Sequence, residues 1–215
     1  MKPSISVTAA VIAGLMSLPG CTVLPRPDPP RVMDFPVPEL PRQTDGAAPA
    51  MPVTLRVDTP HASEPFNGTG ILAKPQPWEF RIYGGVRWRD NIPVIMRDLL
   101  AGVLRSSGSY HGVISDTNPA TAQHSLITEL SAFHTERPGL TAPDTTRQYD
   151  AVIELHAQLL DNRSRATLCA RSFRATEPIR PEDTAVEAAV LALAAAGQAL
   201  ALELRDWLQA CPHQP

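Results

Sequence analysis

The sequence predicts an α+β fold: a two-layer sandwich with a mostly antiparallel sheet of four to six strands and two helices packed on one face. Three patterns predict it. Between Tyr149 and Leu160, residues Ala151, Ile153, Leu155, Ala157 and Leu159 share one strand face, while Asp150, Glu154, His156 and Gln158 share the other. That is a sheet covered on one side and wet on the other. Ile92, Ile95, Met96, Leu99, Leu100, Val103 and Leu104 recur at helical spacing. Val186, Val190, Leu193, Gly197, Leu200, Leu204 and Leu208 form a second, longer stripe in an alanine-rich stretch. The order strands, helix, strands, helix segregates the two kinds of element into layers.

The 215 residues, 43% of them hydrophobic, suffice for one packed domain. A net charge of −3 argues against nucleic acid as the main partner.

Residues 1–20, MKPSISVTAAVIAGLMSLPG, place a lysine before an uncharged apolar run. The run is shorter than the ~20 residues that span a bilayer and has the size of a signal-peptide core. It ends Leu18-Pro19-Gly20-Cys21, which resembles the bacterial lipobox. In that motif a small residue, here Gly20, fits the peptidase, and the thiol of Cys21 accepts a diacylglyceryl group as a thioether. The freed amine takes a further acyl chain such as palmitate. At about 0.8 kcal/mol per buried methylene, two or three chains anchor a protein durably. Thr22 follows the cysteine where an aspartate would favour inner-membrane retention, so the expected location is the periplasmic side of the outer membrane. The alternative is an ordinary N-terminal helix with a buried cysteine, leading directly into a proline-rich tract.

Nine of the chain's 23 prolines lie between Pro25 and Pro52. Proline removes donors and fixes φ, so residues 21–52 read as an extended linker behind the lipidated cysteine. Val32–Val37 could instead pair along a sheet edge, where proline is tolerated. The folded domain is expected over residues 53–211.

Within it, Val53–Val57 alternates as a strand, Gly70–Lys74 is a short one, and Trp78–Tyr83 is another before the Gly84-Gly85 bend and Val86–Trp88. Asp90 or Asn91 caps the first helix, with Pro93 in its first turn and Ser106-Ser107-Gly108 at its end. Tyr110–Ser115, Ser125–Glu136 and Tyr149–Leu160 are strands. A tight turn at Asp161–Ser164 leads into Arg165–Ala175, predicting an antiparallel hairpin. Thr184-x-x-Glu187 reads as a capping box for the last helix.

No catalytic or cofactor signature is present. Gly-x-Ser-x-Gly and Ser-x-x-Lys are missing. Gly68-Thr69-Gly70 mimics a dinucleotide fingerprint, but Pro75 and Pro77 forbid the helix that must follow. The six histidines are scattered without ligand spacing, so no metal is expected. Glu129, Glu136, Asp150 and Glu154 have the spacing of solvated strand faces. With Cys21 acylated, Cys169 and Cys211 remain as a candidate disulfide pair for an oxidising compartment. Their positions weigh against a bond: Cys169 lies ~20 Å back from the strand end at Ala175, whereas Cys211 lies ~43 Å along the helix. A curving connection after Ala175 would absorb part of the difference.

One stretch carries a resemblance. Phe80-Arg-Ile-Tyr83, Val86-Arg-Trp88-Arg-Asp90, Ile92-Pro93-Val94 and Leu99-Leu100-x-x-Val103-Leu104 are similar to the ABC-type transport auxiliary lipoproteins, the group that includes paraquat-inducible protein C. Members start with a lipobox and end in a long alanine-rich helix, as this chain does. The resemblance implies a non-enzymatic accessory of an ABC/MCE lipid-transport system between the two membranes. Its implied partners are the outer-membrane bilayer, reached through acylated Cys21, an MCE-domain or permease component, and phospholipid. It makes the exposed sheet face and the turn with Tyr83, Arg87, Trp88 and Arg89 candidate contacts, residue types favoured at interface hot spots. Trp88 equally suits a plug at the top of the core. The competing expectation is an outer-membrane lipoprotein that aids assembly of another envelope complex.

Overall fold

A computed structural model describes residues 28–36, 51–137, 149–180 and 185–211. The strands are β1 (Arg31–Met33), β2 (Met51–Val57), β3 (His61–Ala62), β4 (Leu72–Gln76), β5 (Glu79–Ile82), β6 (Val86–Trp88), β7 (Tyr110–Ser115), β8 (His124–Glu136), β9 (Tyr149–Asp161) and β10 (Thr167–Ile179). The helices are α1 (Ile92–Ser106) and α2 (Val186–Ala210).

The α+β layout holds, but the sheet is neither mostly antiparallel nor limited to six strands. Eight strands form one curled mixed sheet whose main path runs β10-β9-β8-β2-β7, and β1 and β6 make a separate parallel pair. Among the described residues only β10–β9, β9–β8 and β4–β5 are antiparallel. β2, β3 and β4 lie in succession along one edge of β8, all parallel to it. The physical reason is stagger. Parallel neighbours ordinarily need a crossover of a dozen or more residues, so short loops read as hairpins. Here β7 pairs with β2 as far as Val57↔Ser115, and β8 begins beside Leu55 and runs on. The chain continues in one direction, so the short segment 116–123 is enough.

α1 buries the stripe expected of it, from Ile92 to Leu104. Asn91 is its N-cap in extended geometry, and the carbonyl of Gly68 accepts the N–H of Ile92 at 3.0 Å, satisfying a donor that the helix itself cannot. Gly108, at φ +63°, ends the helix in the left-handed region where a side chain is strained. α2 starts at Val186 with Ala185 as N-cap and no side-chain cap. Thr184, the cap expected from sequence, lies outside the described residues. Glu187 pairs instead with Arg31. By length and composition α2 could cross a membrane, yet half of it is buried in the fold, as a core helix would be.

Residues ahead of position 53 also pack into the fold. Arg31–Met33 pairs in parallel with Val86–Trp88, and Phe35 is buried in the core. Its ring meets Trp88 at 5.8 Å and Phe133 at 5.8 Å, while Trp88 meets Phe133 at 5.9 Å. Gly197 of α2 makes this possible: a Cβ there would stand 2.9 Å from Phe35 Cζ and 3.1 Å from Leu99 Cδ2. The point where both helices meet the sheet is therefore closed by a residue from the proline-rich tract.

Cys169 and Cys211 are joined by a disulfide, with Cα atoms 6.2 Å apart. The length argument against the pair fails because β10 runs to Ile179, not Ala175. From Cys169 the strand then advances ~33 Å, and the 25-residue α2 returns ~37 Å.

A polar latch ties α1 to the loops after β2 and β7. Arg97 reaches Asp116 at 3.3 Å and Thr59 Oγ1 at 3.2 Å, and the Thr59 N–H donates to Asp116 at 2.9 Å. Burial would raise the Asp116 pKa, but the Thr59 bonds and the Arg97 charge outweigh it and hold the carboxyl below its usual range. Asp58 shifts the other way: burial, then the Asp116 charge, raises its pKa against the pull of Arg56, and its Oδ1 is buried with no hydrogen-bond partner among the described residues. A carboxyl whose folded pKa lies above its unfolded value penalises folding when ionised, and the penalty fades as pH falls through the folded value. Asp58→Asn is therefore expected to raise the urea midpoint at pH 7. That gain should shrink as pH drops through the raised Asp58 pKa, which denaturation at several pH values measures.

Candidate functional site

Gly20 and Cys21, the expected processing and acylation positions, lie outside the described residues. The expected contact turn is described in full, and its four residues do different things. Trp88 has no exposed surface and sits between Phe35 and Phe133. It is therefore corrected from contact to core plug, because β1 pairs alongside its strand and the rings of Phe35 and Phe133 pack against it. Its indole N–H is buried with no hydrogen-bond partner among the described residues. Tyr83 is half-buried, and its hydroxyl lies 3.0 Å from Thr135 Oγ1. Burial pushes that phenol's pKa up, so it is neutral at physiological pH. Arg87 is half-buried and donates to the Trp88 carbonyl at 3.0 Å. Arg89 is exposed and lies 3.4 Å from Asp34 of the strap. The turn thus offers Arg87 and Arg89 to solvent, with Tyr83 bracing it from below.

The open sheet face is a self-satisfied charge network. Arg174 donates to Glu154 at 2.9 Å and to Glu136 at 2.8 Å. His156 Nδ1 lies 3.0 Å from Ser172 Oγ. Such exposed pairs contribute little to stability individually, and here they set Arg174 against the carboxylates of Glu136 and Glu154. Among the described residues, no three His, Cys, Asp or Glu side chains are grouped so as to hold a metal.

A second feature sits beside the turn. Trp78, at the tip of the β4–β5 hairpin, is 79% exposed, and Ile82 at the other end of β5 is 65% exposed. Phe80 between them rests edge-on against Phe66 at 5.4 Å and His134 at 5.3 Å. Burial lowers the His134 pKa against the opposing pull of Glu136, so this ring is neutral at physiological pH. Gly70 leaves room for Ile82, whose side-chain carbons would lie 3.2 Å from any Cβ at position 70. Among the described residues β5 pairs only with β4, and none of them pairs with its other edge. Reading Trp78–Tyr83 as a strand found the element but not its exposure. The available signal was the alternation Trp78, Phe80, Ile82 between Pro77 and Gly84.

The comparisons with known proteins agree on the fold. A family model described as the ABC-type transport auxiliary lipoprotein component matches residues 35–204, from the buried phenylalanine of the strap to near the end of α2. A crystal structure of a Xanthomonas campestris protein from the DUF330 family is similar, with a TM-score of 0.70 and 22% identity over 82% of this chain and 94% of that one. A second solved structure, of an uncharacterised protein, is similar with a TM-score of 0.62 and 14% identity over 84% of this chain and 99% of the other. No curated protein matches the chain significantly.

Proposed function

Because this chain belongs to the ABC-type transport auxiliary lipoprotein family, we propose that it is the non-catalytic accessory of an ABC/MCE-type lipid transport system, held at the periplasmic face of the outer membrane by acylated Cys21. As a family member it is a membrane-anchored bacterial lipoprotein and an auxiliary component of ABC-type transport. The supporting observation is that the family match spans nearly the whole folded body, from Phe35 of the strap to near the end of α2. Cleavage after Gly20 would leave Cys21 as the first residue of the mature protein. Contact with an MCE-domain or permease component would run through the turn bearing Tyr83, Arg87 and Arg89. Arginine and tyrosine there supply planar, hydrogen-bonding surface suited to a hot spot.

Mass spectrometry of the mature protein should find a diacylglyceryl group on an N-terminal Cys21. Affinity capture of the full-length protein from detergent-solubilised envelopes should recover an MCE-domain or permease subunit. Arg87→Glu with Arg89→Glu should cut that recovery roughly tenfold with acylation unchanged. Recovery of a different envelope complex instead would favour the assembly role, and an unmodified N-terminus ahead of Cys21 would sink the anchor.

A further inference from the structure

Six large hydrophobic side chains are notably exposed among the described residues: Val32, Trp78, Phe80, Ile82, Ile127 and Leu191. Four of the six lie on β1, on β5 or at the β5 hairpin tip. The N–H of Arg31 donates to the carbonyl of Gly85 at 2.9 Å, so the chain that precedes β1 enters the fold at the Gly84–Gly85 turn. β5 ends just before that turn, and β1 begins at it. Val32 and Ile82 therefore stand near where the N-terminal segment arrives, and β5 carries the exposed apolar side chains on from there to Trp78 at its other end.

We propose that this surface, centred on Trp78 and Ile82, lies against the phospholipid bilayer that holds the anchor and forms a second membrane contact beside the acyl chains. The proposal rests on the reading of Cys21 as the acylated residue. Reach favours a bilayer over a distant partner. Cys21 and Arg31 are ten chain steps apart, which at full extension is no more than about 35 Å. Trp78 is a further seven steps from Gly85, at most ~25 Å. The composition suits the headgroup boundary, where tryptophan places an apolar ring with one polar edge. Charge is a minor part of it. Arg81 is paired with Glu79, and Lys74 stands 5.5 Å over the Phe80 ring, so the apolar side chains drive the contact.

The protein reports on itself. It has three tryptophans; Trp88 is buried, and Trp207 packs 5.4 Å from Phe173, so Trp78 is the one most open to solvent. The mature, acylated protein is reconstituted in phosphatidylethanolamine–phosphatidylglycerol vesicles, with or without brominated acyl chains. Brominated lipid should quench the wild-type emission, and Trp78→Phe should reduce that quenching at least about twofold, while both proteins float with the vesicles. Flotation with no Trp78-dependent quenching would overturn the second contact and leave the anchor standing. A blue shift that depends on protein concentration in detergent, without vesicles, would assign the patch to a second copy and overturn the proposal. Absence of acylation and of flotation would overturn the anchor itself.

Discussion

Replacing Phe35 with alanine is expected to destabilise the domain by about 3–5 kcal/mol, the usual range for deleting a buried aromatic ring. Phe35 is 7% exposed and completes the cluster with Trp88 and Phe133. The effect should not stop at stability. Outside that ring the strap has its three strand residues, with Met33 partly buried against the core, the Arg89–Asp34 pair and the Arg31–Glu187 pair, and exposed pairs are worth only ~0–1 kcal/mol each. Without Phe35, β1 should detach, and the chain between Cys21 and the first held residue would lengthen to thirty steps at Met51, up to ~100 Å. Hydrogen exchange should show early loss of protection at Arg31 and Arg89, ahead of global unfolding. Gly197 gives an internal check. Gly197→Ala places a methyl 2.9 Å from Phe35 Cζ, so it should be less damaging in the Phe35→Ala background than in the wild type. Additive effects in that cycle would mean the two positions do not share the cavity.

Removing the disulfide is the second large effect. The bond closes a loop of 42 residues, which in the chain-entropy view restricts the unfolded state by about 4 kcal/mol, against a usual measured range of ~2–4. The bond also fastens the far end of α2 to edge strand β10, where Phe173–Trp207 and Arg171–Glu203 are the neighbouring ties. Cys169→Ser with Cys211→Ser should lower unfolding free energy by ~2–4 kcal/mol in urea. Reduction should do the same to the wild type and nothing further to the double variant. Equal midpoints for oxidised and reduced wild type would refute the bond's contribution. The consequence for function follows from compartment: a bond of this kind persists in an oxidising space such as the periplasm.

How much was legible beforehand differs by kind of feature. Ala151, Ile153, Leu155, Ala157 and Leu159 are all fully buried, as their alternation implied. The α1 stripe is buried residue for residue, and the α2 stripe is buried from Val190 onward. These are local periodicities, and a face that must leave water is written in the residues that form it. The candidate contacts were only partly legible. Arg87 and Arg89 reach solvent, whereas Trp88 does not, because a tryptophan in a short strand carries no mark of what will cover it. Trp78 was missed for the converse reason: an alternating apolar strand reads as half-buried until its neighbours are known.

The amino-acid sequence alone determined the two helices, most of the strands, the lipobox-like leader and the proline-rich tract, since each depends on residue types within a short window. Tertiary structure decided strand direction, the burial of Phe35 and Trp88, the exposure of Trp78 and the meeting of Cys169 with Cys211. A strand's two edges bear the same backbone donors and acceptors whatever its side chains, so which edge pairs, and in which direction, is set by where distant segments can be brought with least loss of apolar contact.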